Sequence, residues 1–123
     1  MAATLVQQLL FLHQAISWSN MEDQKILLID DMRTEAVIYN QYGFKPTHIA
    51  RTFDEGIEAL KDWNWDILYL DHDLGDPDPN KTGYGIMKFL EENRDRLPSE
   101  IVLVTANPVG RQNMMAVIKR IYE

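Results

Sequence analysis

The chain contains 123 residues, 46% of them hydrophobic, and carries a formal net charge of −7 at neutral pH. This length suits one domain with its own core, and the hydrophobic share argues against intrinsic disorder. The sequence has no cysteine, which excludes disulfides and thiolate metal sites. The acidic balance disfavours general nucleic-acid binding, because proteins bind phosphate backbones through lysine and arginine.

The first residues predict an amphipathic helix over 2–17, because apolar residues recur at helical spacing from Leu5 to Ile16. A polar linker follows, so we divide the chain into an N-terminal helix and linker, 1–20, and an α/β domain, 21–123. The apolar stretch lacks the preceding positive charge and the following cleavage site of an export signal. No run reaches the roughly 20 apolar residues that a membrane span needs. We therefore expect a cytoplasmic protein without a membrane partner.

Four short apolar runs alternate with helical patterns in the rest of the chain. The runs predict β-strands at 25–29, 47–50, 66–70 and 101–104. The patterns predict helices at 34–41, 53–63, 84–93 and 110–122. Strands that alternate with helices predict a parallel sheet with right-handed crossovers.

Local signals sharpen the ends of these helices. Gly43 is expected to end the first of them, whose inner side should hold Val37, Ile38 and Tyr42. Thr52 and Glu55 have the spacing of a capping box, which predicts the start of the second helix.

Polar side chains follow three of the predicted strands where each strand ends. They are Asp30 and Asp31 after the first strand, Asp71 and Asp73 after the third, and Thr105 and Asn107 after the fourth. Ligands of open parallel sheets bind at the carboxyl ends of the strands. The sequence therefore predicts a functional site at this rim.

The four aspartates predict a divalent-metal site. Crowded carboxylates repel one another unless a positive charge lies between them. Mg²⁺ takes oxygen ligands from carboxylates, waters and phosphates, and Mn²⁺ accepts the same set. Three of these acids also have a purely structural interpretation: Asp31 as a helix cap, and Asp71 and Asp73 as turn residues.

Further residues at the rim are candidates for contact with a phosphate. His72 is a candidate general acid or base, because imidazole changes its protonation near neutral pH; alternatively it bonds a backbone group on the opposite face. Arg111 begins the last helix, where backbone amides favour anions, although a solvated surface arginine is the other interpretation. Thr105 is a candidate phosphate contact or a simple cap.

Several strings resemble response-regulator receiver domains. They are KILLIDD at 25–31, DEGIEAL at 54–60, the strand that ends in Asp71, and VTA at 104–106. The resemblance implies that Asp30, Asp31 and Asp71 bind Mg²⁺, that Asp71 accepts a phosphoryl group, and that Thr105 helps to bind it. Receivers also have a fifth strand that ends in a lysine, which this chain lacks.

A narrower family fits better. LDHDLG at 70–75 and TANPVGRQNM at 105–114 are similar to the cyclic-phosphate processing receiver domains, and the similarity covers about residues 25–121. It implies a receiver-like (flavodoxin-like) α/β fold with a parallel sheet of four strands in the order 2-1-3-4. The fifth strand and helix are missing, and the N-terminal helix is an addition. That family's pattern has a histidine where this chain has Val104.

The leading functional prediction is a metal-dependent phosphoesterase that acts on a cyclic phosphate of a nucleotide or related metabolite. Its catalytic residues are Asp71 and His72, its phosphate contacts are Thr105, Asn107 and Arg111, and its metal ligands are Asp30, Asp31, Asp71 and Asp73. The alternatives are a phosphoacceptor receiver in signalling, or a non-catalytic binder of a cyclic nucleotide or protein partner. The N-terminal helix is expected to cover the sheet face left by the missing helix, or to form a homodimer.

Overall fold

A computed structural model describes residues 24–123 of the chain. The strands are β1 (Ile26–Ile29), β2 (His48–Ala50), β3 (Ile67–Leu70) and β4 (Glu100–Leu103). The helices are α1 (Glu35–Tyr42), α2 (Phe53–Asp62), α3 (Gly83–Glu92) and α4 (Pro108–Ile121), with a short 3₁₀ helix at Arg94–Arg96. The predicted helix over 2–17 and its linker lie outside the described residues.

The four strands form one parallel sheet in the order β2-β1-β3-β4. This confirms the predicted fold class and strand order. The central strands β1 and β3 pair in register, with Ile29 opposite Leu70. Both strands are buried along their whole length, as expected for the middle of a sheet covered on both faces. The residue after Ile29 therefore lies beside the residue after Leu70.

Alternate strand residues pack into two separate cores. Leu27, Ile29 and the neighbouring β3 residues pack with α2, α3 and α4 on one face. Ile26 and Leu28 belong to the second core, to which α1 contributes Ile38. This layered packing fixes the sheet and holds all four carboxyl strand ends at one rim.

Each of the four α-helices follows a residue whose side chain accepts a hydrogen bond from a backbone amide of the first turn. The capping residues are Thr34, Thr52, Thr82 and Asn107. The capping box predicted at Thr52 is half formed: Thr52 accepts from the Glu55 amide, but the Glu55 carboxylate accepts from the Arg51 amide instead. Gly43 ends α1 with φ +79°, which is the left-handed conformation predicted for it.

Three local predictions need correction. Val37 is 39% exposed, so α1 buries Ile38 but turns Val37 outward. Strand β4 begins and ends one residue earlier than predicted, because Glu100 pairs with Ile67 and the ladder closes at Leu103. Helix α4 begins at Pro108, since Asn107 caps it.

Among the described residues, no helix has the length and apolar character needed to cross a membrane.

Candidate functional site

Three aspartates converge at the carboxyl ends of the two central strands. Asp30 and Asp31 follow β1, and Asp71 follows β3. Each offers one carboxylate oxygen, and these atoms all lie within 4.8 Å of one another. Asp30 is fully buried and Asp71 is 7% exposed, whereas Asp31 is partly exposed. The cluster is therefore open to solvent on the Asp31 side.

The Asp30 carboxylate is held in place through both of its oxygens. Its Oδ1 accepts hydrogen bonds from the Met32 and Arg33 amides, each at 2.8 Å. Its Oδ2 accepts from Arg33 Nη1 at 2.8 Å, and the same nitrogen lies 3.4 Å from Asp71 Oδ2. The Arg33 guanidinium thus contacts two of the three acids, and its single charge offsets one of their two negative charges.

Sequence analysis missed Arg33. The available signal was a cation two residues beyond the acid pair, in a loop that returns over the strand end. Position alone does not reveal the contact, because a loop arginine is usually solvated. The pair forms here because the Arg33 amide is itself tied to the Asp30 carboxylate.

The Asp71 carboxylate lies in an environment that disfavours its charge. Burial, and after it the neighbouring Asp30 carboxylate, raises the pKa of Asp71 above its ordinary value of 3.8. The His72 amide, Arg33 and the Thr105 hydroxyl act in the opposite direction on this pKa. Asp71 Oδ1 accepts the His72 amide at 2.8 Å. Metal binding would compete with this protonation.

The raised pKa of Asp71 predicts a pH dependence of stability in metal-free protein. The folded state holds this proton more tightly than the unfolded state, so the contribution of Asp71 falls as pH rises from 3.8 through the raised folded pKa. Chemical denaturation in a chelator should show the free energy of unfolding of wild type falling relative to Asp71→Asn across that window. A constant difference between the two proteins would contradict the assignment.

His72 lies between the acid cluster and the start of α4. Its Nδ1 lies 3.1 Å from Asp73 Oδ1, and a Cβ placed on Gly110 would overlap the imidazole Cγ. The side chain is 18% exposed. The ring therefore packs directly on the first turn of α4, with a carboxylate as its partner and not the backbone group that was the alternative.

Asp73 does not join the three-carboxylate cluster, although it was predicted as a fourth metal ligand. Its side chain is 69% exposed and contacts His72. The reason is local: the next residue, Leu74, is buried in the core, and Gly75 turns the chain with φ +71°. Burying Leu74 directs its neighbour outward.

The predicted phosphate contacts lie at the end of β4. Thr105 is buried, and its Oγ1 accepts the Asn107 amide at 3.0 Å. The Asn107 side chain caps α4 by accepting the Gly110 amide, and Arg111 Nη1 donates to the Leu103 carbonyl at 3.2 Å. The Thr105 hydroxyl lies close enough to Asp71 to lower its pKa, while Asn107 has a structural role whether or not it contacts a ligand.

The donor set suits a hard divalent cation. It consists of carboxylate oxygens from Asp30, Asp31 and Asp71, which favour Mg²⁺ or Mn²⁺ over metals that prefer sulfur. The N-terminus of the fourteen-residue helix α4 lies at the same rim. Amides and dipole at a helix start favour an anion, so the rim combines acids for a cation with donors for a phosphate.

A separate cavity of about 720 Å³ lies beside the outer strand of the sheet, between β2 and α2. Its apolar lining includes Ile49, Trp63 and Trp65, and its edge carries acids such as Glu58. None of the predicted site residues lines it. The cavity is therefore not part of the rim.

The fold and the acid rim define a receiver-like domain: a parallel α/β sheet with an acid pair after β1 and a lone aspartate after β3. The sequence profile of the cyclic-phosphate processing Receiver domain family matches residues 25–120. The chain belongs to this family. No curated protein matches the chain.

Solved structures that are similar to this chain include the following two. One is a fusion protein that carries amino acids 181–211 of the yeast Spc42 trimeric coiled coil, with 26% identity and a TM-score of 0.58. The match covers 77% of this chain and 64% of the fusion, so the chain spans less than two thirds of it. The other is the MaeR response regulator bound to beryllium trifluoride, with 18% identity, a TM-score of 0.55 and coverage of 77% and 78%. The second likeness shows the fold alone.

Proposed function

We propose that the protein is a metal-dependent phosphoesterase that opens a cyclic phosphate of a nucleotide or a related metabolite. The observation that carries this proposal is the approach of three carboxylate oxygens to within 4.8 Å, two of them from buried or nearly buried residues. Membership of the cyclic-phosphate processing family supports the substrate class. Buried acids in such proximity are unfavourable unless a cation compensates them.

Asp30, Asp31 and Asp71 would hold Mg²⁺ or Mn²⁺, and Asp73 would act through His72 instead. The bound cation supplies charge neutralisation for a phosphate at the rim. Thr105 and the Val109 amide would bind the phosphate oxygens, because the Gly110 and Arg111 amides already donate to Asn107 and Pro108 has no N–H. The exposed Arg111 lies nearby as a further cation. These groups would orient the cyclic ester beside Asp71.

His72 is the proposed proton carrier. Hydrolysis of a cyclic phosphate forms one P–O bond to water and breaks one P–O bond of the ring, and the leaving alkoxide takes up a proton. Asp73 holds His72 through Nδ1, so Nε2 is the ring nitrogen proposed to deliver that proton. Asp71 has two possible parts: to ligate the cation while water attacks, or to attack the phosphorus itself and form an aspartyl phosphate that water then hydrolyses.

A second candidate function is a phosphoacceptor in signalling. The fold likeness to the MaeR response regulator, and the placement of Asp71 after β3 with Thr105 after β4, favour it. Intact-mass analysis after incubation with a small phosphodonor and Mg²⁺ separates the two. A stable added phosphoryl group that is absent from Asp71→Asn would support signalling over turnover.

Phosphorus NMR tests the leading proposal. Purified protein with Mg²⁺ or Mn²⁺ is given 2′,3′-cyclic, 3′,5′-cyclic and ADP-ribose cyclic phosphates, and we expect one of them to be converted to a monoester. Asp71→Asn should reduce that rate at least about 100-fold, because it removes a charged group from the reacting centre.

Asp95→Asn is the matched control for the phosphorus-NMR assay. It makes the same chemical change at an exposed acid in the 3₁₀ helix that leads into the opposite end of β4, and it should leave the rate unchanged. Equal rates in wild type and Asp71→Asn would refute the proposal. A ligand that binds without turnover would leave the non-catalytic binder as the better description.

A further inference from the structure

We infer that Arg33 is a built-in counterion, which leaves the acid cluster when a divalent cation binds and then contacts the phosphate ligand. The inference rests on the metal site of the proposed function and adds a device that regulates it. It starts from one contact: Arg33 Nη1 lies 2.8 Å from Asp30 Oδ2 and 3.4 Å from Asp71 Oδ2. Among residues 24–123, no other side chain forms an ion pair with either of these acids.

The hydrogen-bond pattern shows which oxygens remain for a cation. Asp30 Oδ1 is already taken by two backbone amides, and Asp71 Oδ1 by the His72 amide. The Oδ2 atoms of both acids accept no backbone amide, and these are the two atoms that Arg33 contacts. A cation and the guanidinium compete for the same oxygens.

The backbone that carries Arg33 is fixed, so only the side chain is free to move. Arg51, which follows β2, donates from Nη1 to the carbonyls of Asp30 and Arg33 at 3.2 and 2.7 Å. The Arg33 amide is also bonded to Asp30 Oδ1. The Arg33 side chain is 26% exposed, so its guanidinium can leave the cluster by rotamer changes without movement of the loop.

Electrostatics explains why Arg33 contacts the acids in the metal-free protein and leaves them when a cation binds. Arg33 compensates the buried Asp30 and Asp71 in the metal-free protein, where two uncompensated acids would be costly. Once a divalent cation occupies the two Oδ2 atoms, the guanidinium loses both partners and faces a like charge, so it turns away while its backbone stays at the rim. An arginine fork there is well suited to a phosphate oxygen pair, so metal binding creates a cationic contact for the ligand.

Two binding measurements test the inference by calorimetry, without any assay of turnover. Arg33→Gln should bind Mg²⁺ about tenfold more tightly than wild type, because its competitor is gone. With Mg²⁺ saturating, Arg33→Gln should bind inorganic phosphate about tenfold more weakly, because the freed guanidinium is missing. Arg33→Lys keeps the charge but loses the fork, and should fall between wild type and Arg33→Gln in Mg²⁺ affinity.

Wild-type protein provides a second readout that does not depend on the affinities of the variants. The Arg33 Nε–Hε signal in a ¹H–¹⁵N spectrum, assigned by its loss in Arg33→Lys, should shift on addition of Mg²⁺ and shift again with phosphate. Arg94→Gln, which removes an exposed arginine at the far end of the sheet, should match wild type in every measurement.

The outcomes separate this inference from the proposed function. If wild type binds Mg²⁺ but Arg33→Gln binds it no more tightly, the counterion role alone is refuted. The same conclusion follows if the Arg33 Nε–Hε signal does not shift on addition of Mg²⁺. Unchanged phosphate affinity in Arg33→Gln overturns the second contact. If wild type binds neither Mg²⁺ nor Mn²⁺, the metal site is refuted. The proposed phosphoesterase function and the counterion role of Arg33 are then refuted as well.

Discussion

Gly83→Ala is expected to destabilise the protein by about 3 kcal/mol, the upper end of the usual cost of overpacking. Gly83 begins α3, and its amide donates to the His72 carbonyl at 2.7 Å. A Cβ at this position would overlap the Asp71 carbonyl oxygen and lie 2.9 Å from both Asp71 C and His72 Cα. These neighbours are backbone atoms, so no side chain can rotate away to make room.

Urea denaturation followed by circular dichroism measures this effect. Glu35→Ala is the control, because it places alanine at the first residue of α1 on an exposed surface and should change stability by no more than about 0.5 kcal/mol. Displacement of the Asp71 backbone should also weaken Mg²⁺ binding. A loss of less than about 0.5 kcal/mol in Gly83→Ala would mean that α3 does not approach β3 this closely.

Asp30→Ala is expected to cost about 3 kcal/mol in metal-free protein, whereas Asp30→Asn should cost about 1 kcal/mol. Alanine leaves the Met32 and Arg33 amides without their acceptor at a fully buried position, and Arg33 loses its nearest partner. Asparagine keeps an oxygen for the two amides and removes only the charge. Both variants should bind Mg²⁺ at least about tenfold more weakly, because both remove a charged ligand.

Denaturation in a chelator, followed by Mg²⁺ titration, separates the structural and ligand roles of Asp30. Asp66→Ala serves as the control, because Asp66 also accepts a backbone amide, that of Lys25, but at an exposed site just before the amino end of β3. It should cost less than about 1 kcal/mol and leave Mg²⁺ affinity unchanged. Equal stability losses in Asp30→Ala and Asp30→Asn would show that the amide contacts do not matter.

The sheet was predictable because its strands are short, apolar and buried on both faces. Runs such as ILLI and ILYL have few alternatives to a central parallel strand, and their ends are marked by aspartates. Prediction failed where exposure depends on the detailed orientation of a helix: Val37 and Ile38 are equally apolar, yet α1 buries only one of them. The weak amphipathic pattern of this eight-residue helix does not distinguish the two sides.

The position of the rim could be predicted from the sequence, but only some of the side chains that meet there could be. The carboxyl ends of β1 and β3 must lie together once the strand order is known, so Asp30, Asp31 and Asp71 follow from topology. Asp73 does not, because burial of Leu74 decides its direction. The Arg33 contact depends on side-chain rotamers and on two backbone amides, none of which leaves a periodic signal in the sequence.

Because β1 pairs directly with β3, the acid cluster also bears on the kinetics of folding and unfolding. A helix, a strand and a second helix separate the two strands along the chain, so Asp30 and Asp71 meet only after a long loop has closed. A one-residue slip of β3 against β1 would direct Asp71 to the opposite face and dismantle the cluster. A cation that is chelated by both acids therefore binds only chains in which β1 and β3 pair in the native register. It would prolong the lifetime of the native state by slowing its unfolding, while the rate of folding stays the same.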